Sequence, residues 1–184
     1  EYMGENTRHL IQTLKSNVFI SFLERITKIK GLIADPYDKG GGIHIIPKGG
    51  FLNVHNDFPF HSELNLYRRV NLLLYLNEEE EGWNATSSTD WGANFNLYKK
   101  KYDGEGEHDE DNATLEKVKS IPVLFNRMVI FNTIENVSYH GHEDPFLPRE
   151  AYPPIFRKSI ALYYYTSNIR SEEHTLNSSH ANIS

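Results

Sequence analysis

His55, Asp57, Tyr75, His140, His142, Arg157 and Ser159 are the side chains of this sequence that invite a shared chemical role. His55 and Asp57 close the run GGFLNVHNDFPFH, in which Phe51, Leu52 and Val54 are strand formers. Alternate residues of an extended strand share a face, so this imidazole and this carboxylate aim at one point. The spacing recurs in NVSYHGHED, where His140 and His142 alternate in the same register. Two imidazoles and one carboxylate on one face of a divalent ion suit iron(II), with the opposite positions left for a co-substrate and O2. A second His-x-Asp, His142 and Asp144, runs into a proline loop where a shared face is not guaranteed, so His55 and Asp57 form the better facial pair. Only one of the two later histidines need complete the set. His140 is favoured because it lies within the predicted strand 137–140, with His142 at its exit.

A cation on the far side of the chain suggests an anionic ligand. In FRKSIALYYYT, period two places Arg157, Ser159, Ala161, Tyr163 and Tyr165 on one face. A guanidinium opening an otherwise buried strand needs an anion, since an unpaired buried charge is costly. That anion is either a carboxylate ligand gripped bidentately with the Ser159 hydroxyl beside it, or an Asp or Glu of the chain in a structural ion pair. In RRVNLLLYLN, Asn71, Leu73 and Tyr75 form a mixed face that can line a pocket, with the Tyr75 hydroxyl reaching an oxygen. Val70, Leu72, Leu74 and Leu76 form the opposite, core-facing side.

The elements needed to hold these groups follow from periodicity. Ser16 or Asn17 can cap a helix whose Phe19, Phe22, Leu23, Ile26 and Ile29 make one apolar stripe for packing on a sheet, and a shorter helix is predicted over 7–15. Beyond Gly40 the chain reads as strands at 42–46, 50–55, 69–76, 94–98, 128–132, 137–140 and 157–165. The stretches NEEEEGW, NATSSTDWG, KKKYDGEGEHDED and EDPFLPREAYPP between them read as loops, and the acidic runs as solvated ones. Helices followed by many short strands predict an α+β, mainly β chain built as a sandwich or barrel, with no alternation of strand and helix to suggest a dinucleotide fold. Gly40 to Gly42 reads as a turn, with no helix after it to make a phosphate cradle.

Length and composition bound the rest. The 184 residues suit one domain, predicted over 1–169, and 39% hydrophobic with 24% charged residues suits a globular chain. RSEEHTLNSSHANIS, residues 170–184, lacks apolar periodicity and reads as a disordered tail resembling a translated sequencing adapter, which would strip His174 and His180 of meaning. There is no cysteine, so any metal must be held by histidine and carboxylate, a composition compatible with a cytoplasmic location. No apolar run approaches the roughly 20 residues of a membrane span. A net charge of -6 argues against a nucleic-acid partner. The Asn-x-Ser/Thr matches at Asn84, Asn112, Asn136 and Asn177 read as accidents of composition.

In order, His55-x-Asp57, YLN at 75–77, WGANFNLY at 91–98, NRMVIFNT at 126–133, His140 and Arg157-x-Ser159 resemble the 2-oxoglutarate and Fe(II) dependent dioxygenases of the prolyl 4-hydroxylase type. The resemblance implies a double-stranded β-helix, a cupin-like jelly roll with N-terminal helices on its larger sheet. It implies Fe(II) on His55, Asp57 and His140, and 2-oxoglutarate held by Arg157, Ser159 and Tyr75, with O2 as oxidant and ascorbate as a further candidate. The implied reaction hydroxylates an unactivated C–H, foremost on a prolyl residue of a peptide or protein and next on a small molecule, releasing succinate and CO2. Asp57 stands where related halogenases carry a small residue, and Tyr163 where nucleic-acid dealkylases carry a second arginine. The pattern departs at Gly92-Ala93, where two glycines are usual, and in the long segment between His140 and Arg157. Two other classes share such ligands: a cupin-like isomerase without 2-oxoglutarate, and a noncatalytic jelly-roll module.

Overall fold

The computed structural model describes residues 3–102, 113–133, 137–142 and 144–167, so the predicted tail and most of the acidic loop lie outside the described residues. Two helices open the chain, α1 (Glu5–Leu14) and α2 (Asn17–Thr27). Ser16 caps the second, its Oγ accepting from the Phe19 amide, and Lys28 in the left-handed region ends it. The predicted stripe on α2 is narrower than expected. Leu23 is fully buried and Phe19 packs on the core, whereas Phe22 and Ile26 are about half exposed.

The strands are β1 (Ile33–Ala34), β2 (Gly42–Ile46), β3 (Leu52–His55), β4 (Phe60–His61), β5 (Leu66–Tyr75), β6 (Phe95–Tyr102), β7 (Ala113–Ile121), β8 (Met128–Asn132), β9 (Tyr139–His142) and β10 (Arg157–Thr166). They form two antiparallel sheets facing each other, a double-stranded β-helix. β10 is central to the larger sheet. It pairs with β5 on one side, and on the other with β2 along its first half and β1 at its end. β8 and β4 flank the far edge of β5. The smaller sheet has the order β3, β9, β6, β7.

Alternation in β5 and β10 separates core from pocket. Val70, Leu72, Leu74, Ile160, Leu162 and Tyr164 face the helices and pack with Ile11, Leu14 and Leu23, each burial of a large aliphatic side chain contributing about 1.5–3 kcal/mol. The Tyr164 hydroxyl donates to the Leu14 carbonyl at 2.8 Å, tying β10 to the end of α1. The opposite face carries Asn71, Leu73, Tyr75, Arg157, Ser159 and Ala161 between the sheets.

Three loop expectations are corrected. NATSSTD contains a helix, α3 (Ala85–Asp90), because Asn84 and Ser87 satisfy each other's backbone amides in a capping box. The lysines of KKKY continue β6 to Tyr102, and β7 pairs with it along its length. These are edge positions where cross-strand hydrogen bonding outweighs polar composition. β9 runs from Tyr139 through His142, so both histidines lie inside the strand.

The proline-rich segment that separates β9 from β10 closes one end of the sandwich. Phe146 stacks on Trp83 with centroids 5.6 Å apart, and both join Tyr75, Ala93, Phe95 and Ile155 in a second core. Its return is fixed by buried Asn77, whose Nδ2 donates to the Phe156 carbonyl at 2.7 Å while its Oδ1 accepts from the Lys158 amide at 2.9 Å. Those two bonds bracket Arg157. Among the described residues no helix is long and apolar enough to cross a membrane.

Candidate functional site

Strand pairing brings the two metal-type histidines together. His55 ends β3 and stands opposite His140 of β9, and Gly141 lets these strands close, since a Cβ there would lie 2.8 Å from the Leu52 carbonyl oxygen. Asp57 lies just past the end of β3, outside its paired residues. The result is nonetheless convergent. Nε2 of His55 lies 3.7 Å from Asp57 Oδ1, Nε2 of His140 lies 3.5 Å from Oδ2, and the candidate ligand atoms of all three fall within 4.8 Å of one another.

The tautomers are set by the backbone. Each histidine donates its Nδ1–H to a carbonyl two residues upstream, His55 to Asn53 and His140 to Ser138, both at 2.8 Å. That leaves each Nε2 lone pair aimed at the shared space, the arrangement a divalent metal requires. His140 is buried and its ring sits against Phe131 and Phe95, at centroid distances of 4.8 and 5.6 Å. Burial lowers its pKa, opposed by the Ser138 bond and by Asp57, which favours the neutral imidazole that can ligate. The His55 side chain is 35% exposed, so one edge of the group reaches solvent.

Asp57 is gripped from both sides. Arg68 Nη1 approaches Oδ1 at 3.0 Å, and the Asn71 amide donates to Oδ2. The Arg68 guanidinium also lies over the Tyr163 ring, its Cζ 3.4 Å from the centroid. Sequence reading missed Arg68, because strict alternation gives Arg69 the inward position. A bulge where Tyr164 pairs with Val70 and Tyr165 with Arg68 skips Arg69 and turns Arg68 towards the site. The doubled arginine at the start of β5 was the available signal. Replacing Arg68 with leucine frees the carboxylate to rotate, and metal affinity should fall by roughly 10- to 100-fold, measured by competitive metal titration.

A cavity continues from this cluster between the sheets, lined by Leu73, Phe95, Phe131, His142, Arg157 and Ser159 among others. Arg157 is 4% exposed. Its Nε donates to the Ala93 carbonyl at 2.8 Å and its Nη2 to the Tyr75 hydroxyl at 3.4 Å. No carboxylate among the described residues pairs with it, so the ion-pair alternative finds no partner there. Burial lowers the guanidinium pKa, and burial raises that of Tyr75, opposed by Arg157. Ser159 stands opposite Tyr75 in the β5–β10 register and is buried. A buried cation bonded to the Tyr75 hydroxyl, lining one cavity with Ser159, can hold a carboxylate.

The structure therefore gathers His55, Asp57 and His140 at one point and Arg157, Tyr75 and Ser159 at another, joined by one cavity. His142 joins the second group. It is 2% exposed and its pKa is pushed down to about 3, first by burial and then by the positive charge of Arg157. The preference for His140 rested on a strand ending too early, and what separates the two is depth along a strand that contains both.

No curated protein matches the chain. A family model described as the 2OG-Fe(II) oxygenase superfamily matches residues 41–165, which include both groups of site residues. The fold, the convergent imidazoles and carboxylate, and this match place the chain in the 2OG-Fe(II) oxygenase superfamily, dioxygenases that use Fe(II), 2-oxoglutarate and O2.

Proposed function

We propose that the chain is a hydroxylase of the prolyl 4-hydroxylase type, with His55, Asp57 and His140 holding Fe(II) and Arg157, Tyr75 and Ser159 holding the far carboxylate of 2-oxoglutarate. The observation carrying this reading is the buried guanidinium without a carboxylate partner, set in the same cavity as three convergent metal-type ligands. When bound, the iron and co-substrate supply the oxidative decarboxylation to succinate and CO2 that drives insertion of oxygen into a C–H bond. The protein's residues do the positioning. Arg157 neutralises one end of the dicarboxylate, Arg68 and Asn71 keep Asp57 turned towards the ion, and Phe95 and Phe131 fix His140 and keep water from the buried side.

The exposed edge at His55 is where a substrate would enter. Phe58, 85% exposed and next to Asp57, and exposed Leu52 of the cavity lining offer apolar contact suited to a pyrrolidine ring. This supports a prolyl residue of a peptide or protein over a charged small molecule. A cupin-like isomerase would have no reason to bury Arg157. The test is incubation with Fe(II), 2-oxoglutarate, ascorbate and a panel of proline-containing peptides and free amino acids, read by mass spectrometry. One oxygen added to a prolyl residue, matched by succinate, is expected. Succinate with oxygen only on free small molecules would overturn the prolyl assignment, and no succinate under any condition would overturn the hydroxylase.

A further inference from the structure

His142 has no part in the roles assigned so far, and its surroundings are incomplete. Neither ring nitrogen has a hydrogen-bond partner among the described residues, although the side chain is almost wholly buried. A buried imidazole without partners costs on the order of 1–3 kcal/mol, so the fold tolerates it only where something else satisfies it. The ring lines the cavity shared by Arg157 and Ser159. It follows His140 by two residues in β9, which places it on the same face about 6.7 Å farther along the strand. That displacement runs from the metal group towards the guanidinium, the direction in which a five-carbon dicarboxylate chelating the metal by its keto-acid end must extend.

We infer that His142 is a co-substrate-binding residue that donates a ring N–H to the far carboxylate of 2-oxoglutarate, completing the grip of Arg157, Tyr75 and Ser159. This rests on the reading that Arg157 holds that carboxylate. A neutral donor suits the site electrostatically. The ion, Arg157 and Arg68 already outweigh Asp57 and the two carboxylates of the co-substrate by one positive charge, so an uncharged donor strengthens binding without burying a further cation. Leucine would fill the space but leave a carboxylate oxygen without its donor. Glutamine keeps an N–H at similar reach.

The test is calorimetric titration of the Mn(II)-loaded protein with 2-oxoglutarate and, separately, with 2-oxopentanoate, which keeps the keto-acid end and lacks the far carboxylate. His142→Leu should bind 2-oxoglutarate about 10- to 100-fold more weakly than wild type, the loss expected for a hydrogen bond to a charged group, yet bind 2-oxopentanoate equally. His142→Gln should recover most of the loss, and Mn(II) affinity should be the same in all three proteins. Equal 2-oxoglutarate affinity in wild type and His142→Leu overturns the inference while leaving the parent reading intact. Loss of both ligands to the same degree, or loss of Mn(II), overturns it in favour of a packing or metal-ligand role. A wild type that takes up Mn(II) but no 2-oxoglutarate overturns the parent reading, and this one with it.

Discussion

Replacing His140 by alanine is expected to abolish succinate formation and to lower Fe(II) affinity by well over a hundredfold. Changes to groups that merely orient a ligand cost about 10- to 100-fold, and this change would remove one of the three proposed ligands outright. His140 is the most constrained member of the cluster. Its Nδ1 is committed to Ser138, its ring is held by Phe131 and Phe95, and its Nε2 has only the shared space and Asp57 before it. Among the described residues His142 does not join the cluster in its place, since it faces the same way but feels the charge of Arg157. Metal competition titrations and a succinate assay check the result. Wild-type iron affinity in His140→Ala would mean that the ion is held elsewhere.

Arg157→Leu should separate stability from binding with opposite signs. Truncating one partner of a buried hydrogen-bonded charge pair costs about 2–5 kcal/mol, so 2-oxoglutarate affinity should drop by roughly 30- to several thousandfold. The ligand-free protein should nevertheless melt no lower than wild type. Its guanidinium is buried without a carboxylate among the described residues, and relieving that desolvation offsets the lost bonds to Ala93 and Tyr75. Titration calorimetry and thermal melts of the ligand-free protein measure the two effects. A variant that melts far lower with unchanged 2-oxoglutarate affinity would identify Arg157 as a structural cation.

What could be read from the residues was what period two and period 3.6 encode. The split of β5 into Asn71, Leu73 and Tyr75 against Val70, Leu72 and Leu74 was legible because a buried strand in a two-layer fold must sort its faces. So was the Ser16 cap. The gathering of His55, Asp57 and His140 was suggested by order and residue type, and by a spacing of two at the end of β3, while Asp57 itself lies beyond the paired part of that strand. Arg68 was hidden for the opposite reason. Alternation fails there because a bulge suspends it, and the bulge depends on pairing with a strand nearly a hundred residues away. Likewise β7 and the lysine-rich end of β6 carry little apolar signal, since their stability comes from pairing with each other. The aromatic pair of Trp83 and Phe146 joins two segments that each read as loop, so neither revealed the second core.

The most direct measurement is a crystal structure of the protein grown without oxygen with Mn(II) and 2-oxoglutarate, with the metal located by its anomalous scattering. The arrangement of side chains predicts one peak within bonding distance of His55 Nε2, an Asp57 oxygen and His140 Nε2, and a dicarboxylate reaching from it to Arg157, Tyr75 and Ser159. A metal peak outside this cluster, or a dicarboxylate turned away from the guanidinium, would contradict it.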